Sequence, residues 1–186
     1  MIIEWNESMS LPENLHSIEE LLTELENSAK VLTEYLTTYD NFWQFLFGFV
    51  VIAVIPAIGE EYTFRGLMQN FMKETFKNAH LAIWITGFVF SFIHFQFYGF
   101  LPRMLLGVLF GYLYHWSGTL WVPILAHFLN NGITVVMVHL YNIQALQYNI
   151  EDAETPGMAV VATFSVICSL LLYGFYRVSK NRSLGF

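Results

Sequence analysis

Seventeen consecutive residues, Phe42 to Ile58, carry a single polar side chain, Gln44. A helix that is apolar on every face needs a solvent that is apolar too, and crossing a hydrocarbon layer takes roughly 20 mostly apolar residues. Runs of the same character lie at about 79–101, 119–141 and 158–176. A shorter run, 104–116, becomes long enough if Phe100 and Leu101 extend it and Arg103 snorkels toward the interface. These runs predict an all-α, polytopic transmembrane bundle of about five membrane helices. Composition points the same way, with 55% hydrophobic and only 12% charged residues among 186, where a soluble domain carries about twice that share of charge.

Charge is unevenly spread. Nine of the fifteen acidic residues precede residue 41, and Lys30 is the only Lys or Arg among them. Residues 1–40 therefore form an acidic segment, 41–180 the membrane domain and 181–186 a C-terminal tail. Within the first segment, Ile18, Leu21, Leu22, Leu25, Ala29, Leu32 and Leu36 recur at helical spacing, and Ser17 with Glu20 has the pattern of a capping box. The expected amphipathic helix, 17–36, is acidic on its other face, so it should dock on protein and not on anionic lipid. The acidic balance argues against nucleic acid as a partner. No signal peptide is expected ahead of the first run. The single cysteine, Cys168, excludes both an intramolecular disulfide and a cysteine metal cluster.

With five crossings, Lys73, Lys77, Arg177, Lys180 and Arg182 gather on one side of the membrane. Lys30, Arg103, Glu151, Asp152 and Glu154 fall on the other. The positive side should be cytoplasmic, which sets the C-terminus inside, and the expected location is a bacterial cytoplasmic membrane.

Ionisable groups within a membrane cost roughly 2.5–3.5 kcal/mol each, so they persist mainly where they pair or work. Glu61 and Arg65 are four apart with the glutamate first, the favourable order for an ion pair along one helix. Glu60 lies about 100° around that helix and has no such cation, which leaves it as a candidate general base. His94 and Glu60 are each seventeen positions from Lys77. If the chain reverses there, a carboxylate and an imidazole reach similar depth on antiparallel helices and can share a water. His127 and Asn131 fall on one face of a later helix, while Asn130 points elsewhere. Their N–H groups could bind an oxyanion, or His127 could ligate a metal. No His-Glu-x-x-His motif is present, but Glu60, His94 and His127 could still supply the three protein ligands of a zinc site.

Glu60-Glu61-x-x-x-Arg65, Phe90-x-x-x-His94 and His127-x-x-x-Asn131, in that order on successive hydrophobic helices, resemble the CPBP family of intramembrane proteases. That family takes in CAAX prenyl endopeptidases and bacteriocin-processing or immunity (Abi) proteins. The resemblance covers about residues 42–140. It implies an endopeptidase in which Glu60 activates water with His94, His127 and Asn131 stabilise the tetrahedral oxyanion, and Glu61 and Arg65 support the first helix. It also implies a peptide or protein substrate, with a prenylated C-terminus or a bacteriocin-like peptide as the known classes, met within membrane lipid. Family members usually have more membrane helices than this chain. The cofactor expectation is none or zinc, with the asparagine favouring a metal-free water. Two other classes fit the same polar cluster: a non-catalytic immunity or scaffold protein, and a proton-coupled transporter. The transporter would be expected to have repeated halves, and none is visible.

Overall fold

The computed structural model describes residues 12–147 and 158–183, and all regular structure there is helical. Residues 1–11, 148–157 (with Glu151, Asp152 and Glu154) and 184–186 lie outside the described residues. After a short 3-10 turn, Glu13–Leu15, six helices follow: α1 (His16–Thr37), α2 (Phe42–Phe76), α3 (Ala79–Phe92), α4 (Phe100–Ser117), α5 (Trp121–Asn142) and α6 (Met158–Ser183).

Local chemistry sets the boundaries. The Asn41 side chain caps α2 by accepting from the Trp43 and Gln44 N–H groups, both at 3.1 Å. Asn78 does the same for α3, accepting from His80 and Leu81 at 3.0 and 3.1 Å. Between these two helices the chain reverses at Lys77, which takes the left-handed conformation, φ 52°. Gly118, at φ 68°, closes α4 by donating its N–H to the Tyr114 carbonyl at 2.9 Å. α1 starts at His16 without a side-chain cap, so Ser17 lies inside the helix and the expected capping box does not form.

Among the described residues, three helices are long and apolar enough to cross a membrane: α2, α5 and the Ala159–Lys180 stretch of α6. The run that ended at Ile58 by composition continues to Phe76 as one 35-residue helix, which moves Glu60, Glu61 and Arg65 from a helix end to its interior. Run 79–101 is interrupted: α3 stops at Phe92, and 93–99 form a turn and loop before α4. α3 has 14 residues, about 21 Å of helix. It packs instead against α4, where a Cβ on Gly107 would lie 3.2 Å from the Gly87 Cα. Only glycine allows two helix backbones to meet so closely.

α2 is not a uniform α-helix. Wider π-helical stretches occupy Val50–Val54 and Tyr62–Gln69, on either side of the segment that carries the two glutamates. Such stretches rotate the following side chains and are frequent at functional sites. Between them sits Pro56, which has no N–H to offer the Ile52 carbonyl four residues earlier.

The interior is small and polar for its depth. Ala53, Ala57, Ala82 and Ile83 are buried beside Glu61, Arg65 and Gln69. Large apolar side chains such as Leu67, Phe71, Trp121 and Leu170 face outward, the arrangement expected where the surroundings are lipid. Much of the apolar stripe of α1, including Ile18, Leu21 and Leu32, is also exposed. That helix is joined to the bundle by polar links: Glu26 accepts from the Tyr98 N–H at 3.1 Å, and the Thr37 carbonyl accepts from Asn142 at 3.3 Å.

Candidate active site

Glu61 is fully buried and shares one oxygen, Oε1, between two donors. Arg65 Nη1 donates to it at 2.9 Å, the pair anticipated from spacing. His127 Nδ1 approaches the same oxygen at 2.8 Å from α5. A carboxylate can only accept there, so Nδ1 carries the proton and Nε2 is the ring nitrogen that faces the cavity. The second of these contacts joins residues 66 apart in sequence, and residue spacing gave no sign of it.

Arg65, also fully buried, uses its other nitrogen on the Gly107 carbonyl at 2.7 Å. One turn along, Gln69 donates to the Gly111 carbonyl at 3.1 Å. The two donors are four apart on α2 and the two acceptors four apart on α4, so one helix reads the other in register. Both acceptors are glycines with no room for a side chain: a Cβ on Gly111 would lie 2.9 Å from Gln69 Oε1, and one on Gly107 would lie 3.0 Å from the Phe90 ring. The guanidinium also lies 4.8 Å from the Phe90 ring centroid and 5.5 Å from that of Phe110. Desolvating a charge this deeply is offset by these contacts of the two terminal nitrogens and the flanking rings, while the buried Nε has no hydrogen-bond partner.

Glu60 differs from its neighbour. Its side chain is 29% exposed, and His127 Nε2 stands 3.9 Å from its Oε2, too far for a hydrogen bond. It faces a cavity of roughly 800 Å³ that His94, His127 and Asn131 also line. The four side chains thus meet in one space, fed by α2, the turn after α3, and α5.

His94 gets there by a different route from the one spacing suggested. It sits beyond the end of α3, in a turn completed by Phe95 at φ 52°, an unusual conformation for a bulky residue. The buried Ser91 fixes this turn by donating to the Phe100 carbonyl at 2.6 Å. His94 Nδ1 donates to the Phe90 carbonyl at 2.7 Å, which again assigns the proton to Nδ1 and leaves the Nε2 lone pair available. Among the described residues, no hydrogen bond or ion pair joins His94 to Glu60.

Asn131 is held by the defect in α2. Its Nδ2 donates at 3.1 Å to the Ile52 carbonyl, the group that Pro56 deprives of its helical donor. One N–H of the amide remains for other use. Asn130, expected to point away, lines the cavity as well and donates to Asn131 Oδ1 at 3.1 Å. Arg103 is a second correction. It does not snorkel outward but lines this cavity, with Nη2 donating to Gln96 Oε1 at 2.5 Å.

As arranged, no three His, Cys, Asp or Glu side chains among the described residues converge closely enough to hold a metal ion. Glu60, His94 and His127 are accordingly not clustered as a metal-binding group.

Residues 42–133 match the family model for type II CAAX prenyl endopeptidase Rce1-like proteins. Over these residues the chain belongs to this CPBP family of membrane proteins. The membrane-embedded CAAX protease MroQ of Staphylococcus aureus (strain USA300) is 32% identical over 109 residues, 55% of this chain and 43% of that protein. The uncharacterized protein YpbD of Bacillus subtilis (strain 168) is 24% identical over 99 residues, 51% of this chain and 48% of that one. The aligned part is thus about half the length of these curated relatives or less. No solved structure matches. Family and helices together make this an integral membrane protein.

Proposed function

We propose that this CPBP-family protein is an intramembrane endopeptidase that hydrolyses peptide bonds with a water activated by Glu60 and His94. The observation that supports this reading is the convergence of Glu60, His94, His127 and Asn131 on one cavity.

Roles follow from which atoms remain free. Glu61 is spent on Arg65 and His127, so Glu60 is the carboxylate left to take a proton. A water that donates one O–H to Glu60 and the other to His94 Nε2 directs its oxygen lone pair at a substrate carbonyl. Attack forms the C–O bond while the water's proton passes to Glu60. Negative charge on the carbonyl oxygen meets the free Asn131 N–H and His127, which donates from Nε2 when its ring carries both protons. Glu60 then returns the proton to the departing amine as the C–N bond breaks.

The substrate we propose is a peptide or protein segment, a prenylated C-terminus or bacteriocin-like peptide being candidates, in a bacterial cytoplasmic membrane with the C-terminus of this chain inside. The other reading, a non-catalytic immunity or scaffold protein, would keep the same cluster only for its helix contacts. The pairing of Glu61 with Arg65 and His127 serves that purpose, but the half-open Glu60 does not.

The test is cleavage of a quenched peptide library by detergent-purified protein. Glu60→Gln and His94→Ala should each lower cleavage by about 10²-fold or more, and unchanged rates in both would refute the mechanism. Activity should survive a strong chelator. Loss that added zinc restores would recast Glu60, His94 and His127 as ligands. Protection of cells that persists in Glu60→Gln would favour the scaffold.

A further inference from the structure

Among the described residues, Arg103 is the one Lys or Arg that lines the cavity, and it stands apart from the four residues of the site. It comes from the first turn of α4 and folds back over Gly99, where an added Cβ would stand 3.2 Å from Nη2 and 3.5 Å from Nη1. Nη2 is fixed on Gln96. Nη1 is buried and has no hydrogen-bond partner. Arg103 makes no ion pair with any described residue, although Glu26 of α1 and Glu60 both act on it through space. Glu26 accepts the Tyr98 N–H through Oε2 and is not within ion-pair distance of Arg103, and Glu60 is separately required as the base. A guanidinium cannot shed its charge, and placing one within a membrane protein without a directly paired counter-ion is costly. One edge of its donor fork is anchored on Gln96, and the other carries a buried donor, Nη1, that lacks a partner; a two-oxygen anion is the group that such a fork pairs with.

We propose that Arg103 forms a carboxylate-binding subsite of this cavity, taking an anionic group carried by the substrate peptide close to the bond that is cut. The proposal rests on the protease reading above. Gln96 and Gly99 are positioning residues: the first orients the guanidinium and the second gives it room. The carboxylate is either the substrate's own C-terminus or an acidic side chain, and both present the same pair of oxygens.

The test uses the full chain in detergent and the best-cleaved library peptide made in matched forms. One pair has a free or an amidated C-terminus, and the other has Glu or Gln at a single internal position. The wild type should favour the carboxylate of one pair by about 10- to 100-fold in kcat/KM, mainly through KM, as expected for a charged hydrogen-bonded contact. Whichever pair shows it identifies the source. Arg103→Gln should reduce that ratio to near one, and Arg103→Lys should keep part of it. Should Arg103→Gln fail to fold, Gly99→Ala displaces the guanidinium and should also shrink the ratio. Equal rates for acid and neutral forms in both pairs, or a ratio that persists in Arg103→Gln, would overturn the proposal. If the wild type cuts nothing, the protease reading fails. The subsite is then judged by binding alone, as fluorescence anisotropy of labelled peptide pools with free or amidated C-termini and with Glu or Gln fixed internally. Equal affinity throughout would reject it. A mere electrostatic influence of Arg103 on Glu60 would change both forms alike and leave the ratio untouched, which also counts against a subsite.

Discussion

Arg65→Met tests whether the buried ion pair organises the bundle. The substitution keeps the length of the stem but removes three contacts of the guanidinium: Glu61 at 2.9 Å, the Gly107 carbonyl at 2.7 Å and the face of Phe90 at 4.8 Å. Each charged hydrogen bond contributes about 1.5–3 kcal/mol and a desolvated cation–π contact about 2. Methionine packing returns a fraction of this, but Glu61 is left as a fully buried carboxylate whose second oxygen already lacks a partner. Breaking a buried pair in this way costs about 3–5 kcal/mol. The measurement is unfolding in mixed micelles titrated with denaturing detergent. Glu61→Gln alone should cost about 2 kcal/mol, because the amide oxygen still accepts from His127 while Arg65 loses its counter-ion. The double variant removes both charges together, so its cost should fall below the sum of the single costs by about 2 kcal/mol. Strict additivity, or an Arg65→Met cost under about 1 kcal/mol, would refute the claim that the pair is a stabilising unit in a desolvated site.

Other expectations follow from the same geometry. Gly107→Ala places a Cβ 3.0 Å from Phe90 Cδ1 and 3.2 Å from the Gly87 backbone, and the overpacking should cost about 1–3 kcal/mol in the same unfolding assay. Asn131→Ala should lower kcat about 10²-fold or more while KM moves little, since it removes a donor needed mainly in the transition state. Pro56→Ala restores an N–H opposite the Ile52 carbonyl, so the stability lost in Asn131→Ala should shrink when both changes are combined. Thermal unfolding of the four proteins in that cycle measures the coupling. Glu61→Gln and Glu60→Gln should differ in kind: the first lowers stability, whereas the second lowers cleavage and leaves the melting temperature close to that of the wild type.

The residues legible from sequence are those whose relation is set within one helix. Glu61 and Arg65 had to meet because a turn and a fraction separates them, and His127 and Asn131 had to share a face for the same reason. Contacts between helices were not legible, since helix rotation and depth are free until packing sets them. His127 could not be tied to Glu61, nor Asn131 to Ile52, by any count along the chain. Signals did exist for some of this. Pro56 marks Ile52 as a carbonyl in need of a donor, and the matched four-residue spacings of Arg65 with Gln69 and Gly107 with Gly111 suggest a register. Arg103 was misjudged because an arginine near a predicted helix end resembles a snorkelling side chain. Its inward turn depends on the absence of a Cβ at Gly99.

The sequence alone determined the solvent and the class of fold: long apolar runs must form helices in lipid, because only there are the backbone hydrogen bonds satisfied within the segment. It also determined that a few ionisable groups would be placed at depth, and which of them are neighbours along a helix. Tertiary structure decided how the labour is divided. By bringing α5 and α4 against α2, it committed Glu61 to Arg65 and His127 and gave Arg65 the Gly107 carbonyl. Glu60 was left with an unshared carboxylate at the cavity. The physical reason is one of range: hydrogen bonds act over about 3 Å, and which groups come within that distance depends on how helices are rotated against each other.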